Sequence, residues 1–127
     1  MQINNECIRD ILFVIEKKAN FEHGCYMMGA YRKYPELEKY GGNGVIPYHV
    51  RYLKMKDMIF NPDPALKDSY DLTPAGHEFI ANVREENNWK KIKSVSSSIG
   101  FASLKVVSAI AEGVATAAIN KQLGFSE

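Results

Sequence analysis

Apolar residues recur at helical spacing near the start of the chain. The i, i+3, i+4, i+7 pattern of a helix with one buried face is met by Ile8, Ile11, Leu12 and Ile15. Asn5 precedes this stripe, and its short side-chain oxygen is suited to accept hydrogen bonds from the free amides of a first turn. The pattern predicts a first helix that is capped by Asn5 and frays near position 20.

Proline and glycine punctuate the segment that follows. Pro35 suits the first turn of a helix, where a missing N–H is not needed, and predicts a short helix that ends at Tyr40. The Gly-Gly-Asn-Gly run at 41–44 separates this helix from the next one. The apolar segment 26–28 fits either a short strand or the beginning of a second helix, and the sequence leaves both open.

A third helix is predicted after the glycine run. Its apolar stripe consists of Ile46, Val50 and Leu53, and His49 at the edge of this stripe is expected to be partly buried. Asp57 is expected to end the helix, because Asp tolerates the left-handed conformation of a helix C-terminus better than most residues other than glycine.

A hairpin and a fourth helix complete the predicted core. Strands are predicted from Ile59 and over 69–72, and the Asn-Pro-Asp-Pro sequence at 61–64 is typical of a turn between them. Thr73 followed by Pro74 predicts a helix start, with a hydroxyl cap and then a proline in the first turn. This helix is expected to run towards Trp89, with a break at 87–88.

The composition of the chain changes along its length. With 127 residues, 46% of them hydrophobic, and a formal net charge of +1, the chain resembles one soluble domain rather than a polycation. Residues 1–93 hold fourteen basic and thirteen acidic residues, whereas residues 94–127 hold two of each and are rich in Ala, Ser and Gly. We therefore predict a domain over 1–93, followed by a small-residue-rich helical appendage over 94–127.

The cysteines and the N-terminal residues bear on the compartment. Cys7 and Cys25 lie far apart and do not form a disulfide framework. The first residues lack the basic stretch and apolar run of a secretory signal. These observations predict a cytoplasmic protein.

The order of the predicted elements resembles that of a winged helix-turn-helix protein. Residues 46–59 resemble a recognition helix and the first strand of a wing, although Asp57 stands where such proteins commonly have glycine. Leu72, Thr73 and Gly76 resemble the Leu-Thr-x-x-Gly junction that leads from the second wing strand into the following helix. The resemblance implies a mainly α (α+β) fold: a winged helix-turn-helix with a small β-hairpin wing and additional C-terminal helices.

A closer resemblance covers most of residues 1–93 and the tail. The Tyr-His-Val-x-x-Leu sequence at 48–53, the Leu-Thr-x-x-Gly-His-Glu-Phe sequence at 72–79 and Trp89 are similar to an uncharacterised domain-of-unknown-function family. Members of that family are found in phages and prophages. This chain departs from them between Phe21 and Val45, where it is longer and richer in Tyr and Gly. The resemblance implies a phage or prophage context and no established activity.

The outer face of the third helix is the candidate binding surface. Because successive residues are rotated by about 100°, the inward stripe leaves an outer face with its flanks, formed by Tyr48, Arg51, Tyr52, Lys54, Met55 and Lys56. Arg51 suits a guanine edge, and the two lysines suit phosphates, as does Lys67 in the wing. This predicts a small protein that binds double-stranded DNA as a dimer and regulates transcription.

The charge of this region leaves other functions open. Residues 31–72 hold seven basic and six acidic residues, a net charge of +1, whereas DNA affinity grows with the number of phosphates neutralised. Exposed Tyr, Met and Arg are also enriched in protein–protein interfaces. The main alternative is therefore a phage-encoded module that docks on a host protein without binding DNA. The remaining alternative is that the third helix has a purely structural role.

The segment 94–119 contains only two charged residues, Lys105 and Glu112. They are seven positions apart and share one face of a helix, and a central glutamate is costly in hydrocarbon. This favours a helix that packs on a second copy or within the chain over a membrane span or a partner-binding helix. We expect a homodimer through the opposite face, which is formed by Leu104, Val107, Ile110, Ala111, Val114 and Ala118.

The sequence shows no pattern for catalysis, a metal or a cofactor. His23 and Cys25 offer two metal ligands without a second pair at suitable spacing. His77 lacks the second histidine of a metalloprotease motif, and the run 41–44 lacks the lysine of a phosphate loop. We therefore expect a protein that is not an enzyme. Trp89, with lysines at 90, 91 and 93, predicts a packed indole among solvated lysines, with a nucleic-acid backbone contact as the alternative.

Overall fold

The computed structural model of the chain describes residues 1–99 and 103–124. These form six α-helices, one 3-10 helix and three short strands, in an order that we label as follows: α1 (Asn5–Lys18), β1 (Cys25–Tyr26), α2 (Ala30–Lys33), the 3-10 helix (Pro35–Tyr40), α3 (Val45–Met55), β2 (Ile59–Phe60), β3 (Ser69–Leu72), α4 (Pro74–Val83), α5 (Glu86–Ile99) and α6 (Leu104–Gln122). The predicted mainly helical chain with a small antiparallel sheet is confirmed.

The chain divides into two compact units. The first is Met1–Glu78, and the second begins at Phe79, so α4 crosses the boundary. The change in composition after Lys93 lies elsewhere, inside α5. Of the predicted appendage, residues 100–102 and 125–127 lie outside the described part of the chain.

The predicted stripe of α1 is completely buried, but its cap differs from the expectation. Asn4 caps this helix and Asn5 does not, since the Asn4 side chain accepts hydrogen bonds from the amides of Glu6 and Cys7. The backbone amide of Asn4 donates a hydrogen bond to His49 Nε2, at a distance of 2.8 Å. This contact with another helix fixes where α1 begins, and a local pattern does not reveal it.

The three strands form one antiparallel sheet in the order β1-β3-β2. Cys25 lies opposite Tyr70, and Ile59 lies opposite Leu72. The segment 26–28 therefore ends a strand rather than beginning a helix, and α2 starts after Gly29, whose positive φ of 68° turns the chain. The central strand β3 thus joins the hairpin to the segment that follows α1.

The hydrogen bonds of a buried histidine help to hold α3 in place. His49 is completely buried, more so than expected, with Nδ1 2.7 Å from the carbonyl oxygen of Val45 and Nε2 accepting from Asn4. These partners define the tautomer with its proton on Nδ1. Asp57 ends the helix with a φ of 59°, as the sequence predicts.

The start of α4 also follows the prediction. The Thr73 hydroxyl accepts a hydrogen bond from the Gly76 amide at 3.1 Å and donates one to the carbonyl oxygen of Asp57 at 2.6 Å. One side chain therefore caps α4 and fastens it to the residue that ends α3.

The second unit contains two helices that pack against each other. The break before α5 lies at 84–85 rather than at the predicted 87–88, because Glu85 caps α5 and accepts hydrogen bonds from the amides of Asn87 and Asn88. These two bonds lower the pKa of the Glu85 carboxyl. Matching buried stripes lie on the two helices: Trp89, Ile92 and Ser96 on α5, and Leu104, Val107 and Ala111 on α6. Within the described ranges, no helix is both long and apolar enough to span a bilayer.

Candidate functional site

The two faces of α3 separate as the sequence predicts. Ile46, Val50 and Leu53 are buried. Tyr48 and Tyr52 are half-buried on the outer side, and the exposed residues are Arg51, Lys54, Met55 and Lys56. Met55 is 80% exposed, which is high for a large apolar side chain. The helix therefore presents a mixed cationic and apolar surface to solvent.

Tyrosine rings hold the three cations of this surface. The Arg51 guanidinium lies 5.2 Å from the centre of the Tyr48 ring, and the Lys56 ammonium lies 5.9 Å from that of Tyr52. The Lys54 ammonium lies 5.4 Å from the ring centre of Tyr70, on β3. Contacts of this kind attract a cation without neutralising its charge. The positive groups are thus positioned while their charge stays available to a ligand.

None of these three cations forms an ion pair with any residue in 1–99 or 103–124. Nearby carboxylates serve local donors instead. Asp68 accepts from the Tyr70 hydroxyl at 3.2 Å, and Asp71 accepts from the Leu72 amide at 2.7 Å. Burial, with the charge and the hydrogen bond of Asp68, raises the pKa of the Tyr70 hydroxyl. We refer to Arg51, Lys54 and Lys56 as the α3 cations.

The connection between β2 and β3 is ordered by its own side chains. Asn61 accepts from the Asp63 amide at 2.9 Å and donates to the Leu66 carbonyl at 2.9 Å, and Asp63 accepts from the Ala65 amide. Lys67 is exposed in this connection, on a different element from the α3 cations. Leu66 is also exposed, and Lys67 is the one basic residue between β2 and β3.

A groove runs beside α3, and the sequence reading missed it. It has a volume of about 310 Å³ and lies between the β1–α2 segment, α3 and β3. Its lining includes Met27, Met28, Pro47, Val50, Arg51, Lys54, Asp68 and Tyr70. We call it the α3 groove. It depends on three segments that are distant in sequence, and the adjacent methionines at 27 and 28 are the one local signal for it.

The Asp10 carboxylate links α1 to the 3-10 helix, and both of these elements contact α3. The Tyr40 hydroxyl donates to Asp10 at 2.6 Å, and the Lys39 ammonium lies 3.1 Å from the same carboxylate oxygen. This ties the end of the 3-10 helix to α1. Burial and the nearby Asp10 carboxylate raise the pKa of the Tyr40 hydroxyl, so it remains a donor in alkaline solution.

The six residues predicted for oligomerisation have different environments. Leu104, Val107 and Ala111 are buried within a single chain, Ile110 and Val114 are half-buried, and Ala118 is exposed. The first three residues therefore serve the packing of the second unit. Of the six, Ile110, Val114 and Ala118 keep accessible surface.

The other chemical candidates do not converge on a site. His23 is exposed, whereas Cys25 is buried with its sulfur 3.5 Å from the Tyr34 hydroxyl, and burial raises the pKa of its thiol. Across 1–99 and 103–124, no three His, Cys, Asp or Glu side chains come together as a metal site. Trp89 is buried, with the Lys93 ammonium 5.8 Å from its ring centre.

A comparison with protein families places the chain. It belongs to the family described as "Hypothetical protein (DUF2513)", which it matches over residues 2–102. The resemblance to an uncharacterised family is thereby confirmed. No curated protein and no solved structure matches the chain. The family description names no activity.

Proposed function

We propose that this chain is a small winged-helix protein that binds double-stranded DNA through α3 and acts as a dimer in transcription regulation. The order α1–β1–α2–α3–β2–β3–α4 with the sheet order β1-β3-β2 supports the winged-helix assignment. In that assignment the β2–β3 hairpin is the wing. A cytoplasmic location and a phage or prophage origin belong to the same proposal, and the second rests on the sequence resemblance alone.

The observation that carries the proposal is the set of α3 cations. Three exposed positive groups lie on one helix, each beside a tyrosine ring and without an ion pair in the described part of the chain. Phosphates supply the opposite charge, and Arg51 has the forked donors that recognise guanine in a major groove. A dimer would double the number of phosphate contacts.

Fluorescence anisotropy of a labelled duplex from the DNA flanking the gene tests this proposal. We expect binding that weakens steeply with salt, because counterions are released when phosphates are neutralised. The double variant Arg51→Ala/Lys54→Ala should bind about tenfold more weakly or worse, with a shallower salt dependence. Lys121→Gln, which removes a positive charge from α6, is the matched control and should leave the affinity nearly unchanged. Absence of binding by micromolar protein at low salt would refute the proposal.

A second function is favoured by the apolar part of the same surface. Met55 and Met28 are 80% and 56% exposed, and methionine is enriched in protein interfaces. In this alternative the scaffold docks on a host protein and does not bind DNA. In a pull-down from host lysate, the wild-type chain and Lys121→Gln should both retain a host protein. Met55→Asp should fail to retain it. Retention by Met55→Asp would contradict it.

A further inference from the structure

The α3 groove combines an apolar floor with a cationic rim. Met27 and Val50 are buried at its base, with Pro47 beside them. Arg51 and Lys54 also line the groove. Pockets for small ligands commonly pair an apolar lining with a few polar groups that fix orientation. The groove therefore has the chemistry of a binding site and not only that of a surface depression.

Charge decides what kind of ligand fits. The groove lining holds two cations and one carboxylate, that of Asp68. This carboxylate already accepts a hydrogen bond from the Tyr70 hydroxyl. Its net charge is thus positive by one. A ligand carboxylate would complete the balance and gain charge-assisted hydrogen bonds from both cations. A cationic ligand would meet Arg51 and Lys54 with like charge.

The walls of the groove are fixed by contacts within the fold. The Met27 amide donates to the Asp68 carbonyl at 2.8 Å, which joins the end of β1 to the residue before β3. Lys54 lies over the Tyr70 ring and Arg51 over the Tyr48 ring. A site that is already formed loses less entropy on binding. A volume of about 310 Å³ is at the small end for ligand sites and suits a ligand of one or two rings rather than a long chain.

We propose that the α3 groove binds a small apolar carboxylate, with its ring on Met27 and Val50 and its carboxylate between Arg51 and Lys54. Because those two cations are also the groups proposed to meet DNA, the ligand and DNA should exclude each other. The mutual exclusion of ligand and DNA rests on the proposed function, whereas the ligand site in the α3 groove does not.

Titration of the full chain with naphthoate, followed by NMR of the backbone amides, tests the site. We expect saturable shifts at residues 27–29, 48–54 and 68–70, since Pro47 has no backbone N–H to observe. Naphthamide, which has the same rings without the charge, should bind at least about tenfold more weakly, since hydrogen bonds to charged groups are the stronger ones. Lys54→Gln and Arg51→Gln should each weaken naphthoate binding several-fold. Lys121→Gln is the matched control, because Lys121 does not line the groove, and should bind as the wild type does.

Three results would overturn the proposal: no shifts at millimolar naphthoate, equal affinity for naphthoate and naphthamide, or shifts centred outside the groove. The DNA titration keeps the two proposals apart. If the chain binds naphthoate but no duplex, the site stands and the DNA proposal fails. If it binds a duplex that naphthoate does not displace, even when the groove is saturated, the exclusion fails.

Discussion

His49 shows how one side chain can join two helices in the interior. Both ring nitrogens have partners, the carbonyl of Val45 on its own helix and the amide of Asn4 at the start of α1. The His49 side chain itself is completely buried. The imidazole therefore helps to set the position of α3 relative to α1, together with the buried apolar stripe of α3.

Replacing His49 should be costly. His49→Ala removes both hydrogen bonds of a buried side chain and opens a cavity, and we expect the free energy of unfolding to fall by about 2–4 kcal/mol. Urea unfolding measures this change. His23→Ala is the control, since His23 is exposed and only its backbone takes part in the loop hydrogen bonds. Equal stability of the two variants would show that the buried contacts contribute nothing.

Cys7 should make stability depend on alkaline pH. Burial raises the pKa of its thiol from 9.0 to about 12, so the native state keeps a proton that the unfolded chain releases above pH 9. The free energy of unfolding should therefore fall between pH 9 and 12, by at most about 1.4 kcal/mol per pH unit from this group. Cys7→Ala should reduce the slope measured by urea unfolding at several pH values. An unchanged slope would assign the whole effect to the tyrosines and to Cys25.

At the scale of elements, two glycines in helices face opposite situations. A Cβ at Gly76, in the first turn of α4, would collide with the carbonyl oxygen of Met58, whereas a Cβ at Gly113, in α6, would meet nothing within 4 Å. Gly76→Ala should therefore lower stability by about 2 kcal/mol or more through overpacking. Gly113→Ala should raise it by up to about 1 kcal/mol through helix propensity. Thermal unfolding followed by circular dichroism compares the pair, and shifts of the same sign would contradict this reading.

Much of the element order follows from local sequence. The buried stripe of α1, the 3-10 helix after Pro35 and the Thr73-Pro74 start of α4 are all readable from spacing and capping chemistry. Asp57 is also readable from local sequence, because it adopts the left-handed backbone conformation at a position where winged-helix proteins commonly have glycine. Periodicity and caps act within a few residues, so a single sequence is enough to find them.

The rest depends on contacts between distant residues. Asn4 and Asn5 are equally good caps by type, and Asn4, which takes this role, also donates its backbone amide to His49 on a distant helix. Strand β1 has only two residues and exists through its pairing with β3, some forty-five positions further on. The α3 groove and the tyrosine beneath Lys54 arise in the same way. Local patterns place the candidate residues on their helix but do not reveal what surrounds them.

At the scale of the whole molecule, the C-terminal end of α6 is the surface on which the proposed dimer depends. The stripe of α6 that begins at Leu104 is buried up to Ala111, while Ala118 at the same helical angle is exposed. If this end of α6 forms the proposed dimer, Ala118→Glu should weaken association at least about tenfold, because a carboxylate in the interface would lose its hydration. Sedimentation velocity over a range of concentrations measures it. Thr116→Glu, an exposed position on the same helix, is the control, and a wild-type chain that stays monomeric throughout would contradict the dimer.

The division of the chain at Glu78 separates its chromophores. All seven tyrosines lie in the first unit, and the single tryptophan, Trp89, lies in the second. Light that only indole absorbs therefore reports on the second unit, while absorbance in the phenol band, where the seven tyrosines outweigh the one tryptophan, reports mainly on the first. A single unlabelled sample, heated once and observed in both channels, can show whether the two units melt together or in succession.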